Sequence, residues 1–169
     1  MENDGIITRW QEGKYMKKII VLFGALICIS CFAGCNRNNK VNLDFPFEVE
    51  EIENVEMYHY AGVPIAAEKK LVVSSKNIKF LYEMFEGLSL EVKEIEELTG
   101  AAVISFRFNL SDGTNYELIY SGYGVKYGSL KSATGGFEYC TSADIIACWS
   151  SLNKELEAVS VEESELPKY

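Results

Sequence analysis

One histidine, His59, is the entire supply of that residue in a chain of 169. Nucleophilic sites of the Ser/His/Asp or Cys/His kind need such a base. His59 sits in Tyr58-His59-Tyr60, a strand-like aromatic setting that reads as a packed or surface side chain. Its isolation leaves zinc without a Cys/His ligand set, so no metal site is expected. The chain also has no G-x-G-x-x-G turn, no P-loop and no Asp-rich calcium loop. No catalytic residue and no cofactor follow from it. Basic excess is lacking too: the net charge is -9, and from Cys35 onward 12 Lys/Arg face 22 Asp/Glu, a balance of -10. A domain with that charge repels nucleic acid and anionic lipid surfaces as a whole, so no nucleic-acid partner is expected. No apolar run is long enough for a membrane span of about 20 residues.

What is present first is an ordered N-terminal pattern. Met16-Lys17-Lys18 is basic, Ile19 to Ile29 carries no charge, and Phe32-Ala33-Gly34-Cys35 brings small residues directly before a cysteine. Polar Asn36 to Lys40 follows. Basic, apolar, small-residue order is that of a secretion signal, whose peptidase accepts an extended backbone with small side chains. Phe32-Ala33-Gly34-Cys35 resembles the lipobox of bacterial lipoproteins, with Phe32 where that family usually has Leu. The resemblance implies a diacylglyceryl group on the thiol of Cys35 and cleavage that makes Cys35 the first mature residue. Two acyl chains suffice for stable anchoring without a basic patch. The expected place is the extracytoplasmic face of the cell membrane. Residues 1–15 precede the signal and do not suit it, which makes Met16 the expected start and the extension an annotation artefact. The segments are then 1–15 extension, 16–34 signal peptide, 35–44 lipidated cysteine and tether, 45–160 one domain, and 161–169 an acidic flexible tail.

Cys28 and Cys31 fall in the signal, leaving Cys140 and Cys148 in the domain. An extracytoplasmic setting permits a disulfide. Two helical turns between them would span about 10 Å, more than a disulfide tolerates, and favour two small buried thiols instead.

The domain alternates strand and helix signals. Val55 to Tyr60 and Lys69 to Val73 read as strands. Ser74 or Ser75 can cap a helix whose Ile78, Leu81, Tyr82 and Phe85 form one apolar stripe, stopped at Gly87. Leu90 to Leu98 is ambiguous: Leu90 and Val92 alternate with Glu91 and Lys93 as in a strand, while Val92, Ile95 and Leu98 also fit a helical spacing; the strand is preferred, with Thr99-Gly100 as the turn. Ile104, Phe106, Phe108 and Leu110 alternate with Val103, Ser105, Arg107 and Asn109, a period of two that marks a strand with one buried face. Asp112-Gly113 signals a hairpin in which both residues take positive φ. Tyr116, Leu118 and Tyr120 return, Gly122-Tyr123-Gly124 turns, Val125 to Leu130 continues, and Phe137 to Cys140 closes the meander. A final helix is expected from Thr141-Ser142, with Asp144 completing a capping box and Ile145, Cys148, Trp149, Leu152 and Leu156 facing the core. This predicts an α+β fold, an antiparallel sheet of about five to seven strands with two amphipathic helices on one face. In outline it resembles the small uncharacterised lipoprotein domains of Gram-positive bacteria.

Two features bear on function. Glu50-Glu51-Glu53, Glu94-Glu96-Glu97 and Glu162-Glu163-Glu165 are carboxylate runs that read as solvated faces, although a hydrolase needs only two facing carboxylates in a cleft. Tyrosines crowd the last strands among glycines that allow close approach. If exposed, Tyr120, Tyr123 and Tyr127 would bind a sugar ring or a partner protein. Otherwise these tyrosines pack against the helices. The expected function is a non-enzymatic, membrane-anchored binding module for an envelope protein or glycan. The alternatives are an inhibitor or accessory subunit of an envelope enzyme or transporter, and a hydrolase with an unrecognised carboxylate pair.

Overall fold

A computed structural model describes residues 40–61, 63–93, 101–122, 127–152 and 156–168. The signal segment, Cys35 and Tyr123 lie outside them, as does most of the segment after Leu90. The described residues form nine strands and two helices: β1 (Lys40–Val41), β2 (Ile52–Ala61), β3 (Glu68–Val72), α1 (Ser75–Glu86), β4 (Leu90–Glu91), β5 (Ala102–Leu110), β6 (Asn115–Gly122), β7 (Gly128–Ser132), β8 (Phe137–Thr141), α2 (Ala147–Ser151) and β9 (Val159–Ser160). All nine strands belong to one antiparallel sheet in the order β1-β4-β8-β7-β6-β5-β2-β3-β9. The class is α+β as expected, but with more strands than the five to seven anticipated. The surplus is the two-residue edge strands β1 and β9, too short to show a period of two, whereas β4 is the start of the strand expected from Leu90.

Register makes the two sheet faces different. Val55 opposes Phe108, Met57 opposes Phe106, and Phe106 in turn opposes Leu118. These side chains, all fully buried, form the core face. Leu81 and Phe85 from the α1 stripe are fully buried, and the Phe85 ring meets Phe106 edge-on at 4.8 Å. Each such burial contributes roughly 1.5–3 kcal/mol. From α2, the Trp149 ring stacks on His59 at 5.3 Å, and His59 lies on the Met57 side of β2. Both helices therefore cover the same face.

Four local expectations are corrected. At the β5–β6 hairpin only Gly113 has positive φ, at 83°; Asp112 does not. The turn closes through Gly113 N–H donating to Leu110 O at 2.9 Å, and Asp112 Oδ1 accepts from Thr114 N–H at 2.8 Å. The Asp side chain thus organises the loop without adopting the left-handed backbone. The final helix is one short segment, because Thr141 still belongs to β8 and its hydroxyl accepts from Ala143 N–H at 3.1 Å. Asp144 then accepts from Ala147 N–H at 3.2 Å, acting at the helix start itself. Ser74 makes no side-chain cap at α1; its carbonyl accepts from Asn77 and Ile78 instead. The segment expected to be a loose tail follows β9, buries Leu166 against Tyr58 and Ala67, and donates Val161 N–H to Ala67 O at 3.1 Å. Its acidic composition hides the apolar residues that seat it.

Candidate functional site

The aromatic cluster divides once the strands are paired. Tyr116 and Tyr120 point into the core and are 5% and 3% exposed. Tyr120 donates its hydroxyl to Ala143 O at 3.1 Å. A Cβ at Gly128 would collide with the hydroxyl end of the Tyr120 ring, and one at Gly135 would meet the Tyr116 hydroxyl. The glycines near these tyrosines thus make room for the protein's own rings rather than for a ligand. Phe137 and Tyr139 stack on each other at 4.8 Å. Tyr120 is accordingly no binding residue, and Tyr123 lies outside the described residues. Tyr127, 46% exposed, is the candidate that reaches the surface.

Tyr127 borders a cavity of about 260 Å³ at the β1-β4-β8 end of the sheet. Three short pieces of chain build it. β1 and β4 align Lys40 opposite Glu91, β8 supplies Cys140 opposite Glu91, and Lys93 follows β4. Lys93 Nζ lies 5.9 Å from the centre of the Tyr127 ring. Ser89, Thr141 and Ser142 add hydroxyls. The Cys140 thiol is buried and contacts Lys93 O at 3.8 Å. Burial pushes its pKa up. The wall therefore combines two ammonium groups, one carboxylate, hydroxyls and an aromatic face. Such a lining can hold a small polar ligand. A second depression, about 410 Å³, lies under the C-terminal segment beside Tyr60, Pro64 and Leu166, and a third of about 270 Å³ beside Ile52 and Ile78. The second also sets a ring, that of the less exposed Tyr60, beside Glu163 and Lys168, whereas the third has no aromatic lining.

The remaining chemistry-bearing groups hold the fold. On the sheet face opposite the core, Arg107 donates to Glu117 at 2.6 Å, Glu56 at 3.1 Å, the Tyr58 hydroxyl at 2.7 Å and Glu165 O at 3.1 Å. Tyr58 donates to Glu56 at 2.8 Å, and Lys69 lies 3.4 Å from both Glu56 and Glu165. Burial raises the Glu56 pKa, but hydrogen bonds from Tyr58 and Arg107 and the Lys69 charge outweigh it and hold the group below its usual value. Glu56 and Glu117 are thus carboxylates bound to one guanidinium. His59 is stacked on Trp149, and burial lowers its pKa. Lys70, 1% exposed, donates to Trp149 O at 2.6 Å and lies 4.1 Å from the Trp149 ring centre. Cys140 and Cys148 are both free thiols, and burial pushes Cys148 up to about 11. Among the described residues no three His, Cys, Asp or Glu side chains converge on a metal position, and no helix is long and apolar enough to cross a membrane.

Of the cavity residues, only Tyr127 was singled out by sequence. Lys40 falls in the expected tether and Lys93 in the ambiguous Leu90 to Leu98 segment, so neither stands out in the sequence. No protein-family model, no curated protein and no solved structure matches this chain.

Proposed function

We propose that the chain is a lipid-anchored extracytoplasmic lipoprotein whose domain is a non-catalytic binding module. The anchor rests on the order Met16-Lys17-Lys18, apolar Ile19 to Ile29, and Phe32-Ala33-Gly34-Cys35. The module reading is carried by one observation: the half-exposed Tyr127 beside a cavity with converging ammonium, carboxylate and hydroxyl groups. Small polar ligands, including single units of a glycan or a side chain of an envelope protein, fit such a lining. Supporting the non-catalytic reading, His59, Glu56, Glu117 and Arg107 are engaged in internal stacking or ion pairs.

The test is ligand binding by the full chain in neutral detergent, against a panel of envelope saccharide and peptide fragments, with Tyr127→Ala alongside. The expected result is a ligand whose affinity falls at least about tenfold in Tyr127→Ala, the loss of a ring contact worth roughly 1–2 kcal/mol. Equal binding by both proteins would remove the cavity from the account.

A second reading, an accessory subunit, draws on Leu71, Val73 and Val159. They are 49%, 64% and 52% exposed along β3 and β9, an apolar strip suited to a protein contact.

A further inference from the structure

We propose that the cavity beside Tyr127 binds the glycerophosphate headgroup of an anionic lipid in the membrane that carries the anchor. This deepens the proposed function and rests on the lipid at Cys35.

The first argument is local charge. The domain carries a net -10 from Cys35 onward, yet two lysines, Lys40 and Lys93, face one carboxylate, Glu91, in this cavity. Exposed charges farther apart than about 8 Å are screened at physiological ionic strength, so a ligand seated here senses the lining more than the total. A phosphate suits the ammonium groups. The hydroxyls of a polyol can donate to Glu91, which otherwise opposes an anion. A bare anion satisfies only the first half of this lining. The volume, about 260 Å³, is below the roughly 300–1,000 Å³ of sites for larger ligands and suits a headgroup.

The second argument is reach. Lys40 is five residues after Cys35. Even fully extended, that stretch spans only about 17 Å. Any acyl chains on Cys35 therefore keep β1 and its cavity within a short distance of the headgroups.

β1 and β9 are opposite edges of a nine-stranded sheet, separated by up to roughly 38 Å at about 4.8 Å per strand. Glu162, Glu163 and Glu165 follow β9 at the far edge from the anchor. The carboxylates at the cavity's own edge are Glu91 and, in sequence after Lys93, Glu94, Glu96 and Glu97.

The full chain in lipid nanodiscs tests this by lysine acylation footprinting read by mass spectrometry. Discs of phosphatidylcholine alone are compared with discs containing phosphatidylglycerol. Labelling of Lys40 and Lys93 is expected to fall about tenfold in the second, as for a site roughly nine-tenths occupied. Lys76 and Lys79, exposed on α1, are expected to label equally in both. Glu91→Gln is expected to change the preference for phosphatidylglycerol over phosphatidic acid, which lacks the extra hydroxyls. Unprotected lysines with an intact mass showing acylated Cys35 would overturn the headgroup site alone. An intact mass without the acyl group would overturn both it and the anchor. Equal protection by inorganic phosphate in phosphatidylcholine discs would overturn the lipid source.

Discussion

Replacing Gly128 by Ala tests whether the glycines around the aromatic cluster accommodate the protein's own rings. The new Cβ would collide with the hydroxyl end of the Tyr120 ring, so the ring must move or the strand must shift. Tyr120 is 3% exposed, and its hydroxyl is bound to Ala143 O at 3.1 Å, so neither movement is free. Overpacking of this kind costs about 1–3 kcal/mol, and a lost hydrogen bond adds about 1 kcal/mol. The expected destabilisation is about 2–3 kcal/mol, a fall of roughly 10 °C in Tm for a domain of this size. Denaturant unfolding followed by Trp149 fluorescence reads it. The decisive comparison is the same substitution in a Tyr120→Leu background, where the colliding ring is gone. There Gly128→Ala should change stability by less than about 0.5 kcal/mol, giving a coupling on the order of 2 kcal/mol. Equal losses in both backgrounds would refute the reasoning, because the backbone rather than Tyr120 would then require glycine.

Arg107→Gln removes the guanidinium that joins Glu56, Glu117, Tyr58 and the carbonyl of Glu165. It should lower stability by about 2 kcal/mol and speed cleavage by a Glu-specific protease between 162 and 165; unchanged cleavage would detach that network from the C-terminal segment. Burial lowers the His59 pKa below 6.5, with the Glu68 carboxylate opposing and the Lys70 charge assisting. The unfolded chain therefore binds a proton below pH 6.5 that the folded one resists, so this contribution is whole above pH 6.5 and falls as pH drops toward the folded value. His59→Phe should flatten that part of the pH–stability curve. The loss that begins below pH 4.5, where Glu56 is protonated in the unfolded chain, should remain.

The central sheet was legible because its residues repeat with the period of the backbone. Ile104, Phe106 and Phe108 alternate with Ser105 and Arg107, and their register with β2 and β6 follows the hydrophobic pattern. The α1 stripe was legible for the corresponding helical reason. Where pairing depends on two residues, as in β1 and β9, local sequence carries no period, and tertiary contacts alone decide. The cavity was illegible for a related cause: it brings Lys40 of β1 to Lys93 and Tyr127, which no local pattern joins. Thr141-Ser142 misled because a Thr hydroxyl that caps a helix equally caps a turn, and here it accepts from Ala143. In the last segment, Leu166 and Pro167 are buried amid Glu162, Glu163 and Glu165, so composition pointed away from packing.

The most direct test of the central claim is intact-mass analysis of the natively expressed protein after cell fractionation, with Cys35→Ala as control. The account predicts a membrane-bound species beginning at acylated Cys35, and a variant that is released or remains an unprocessed precursor. A soluble or full-length wild-type species, or a Cys35→Ala protein still in the membrane at mature size, would contradict it.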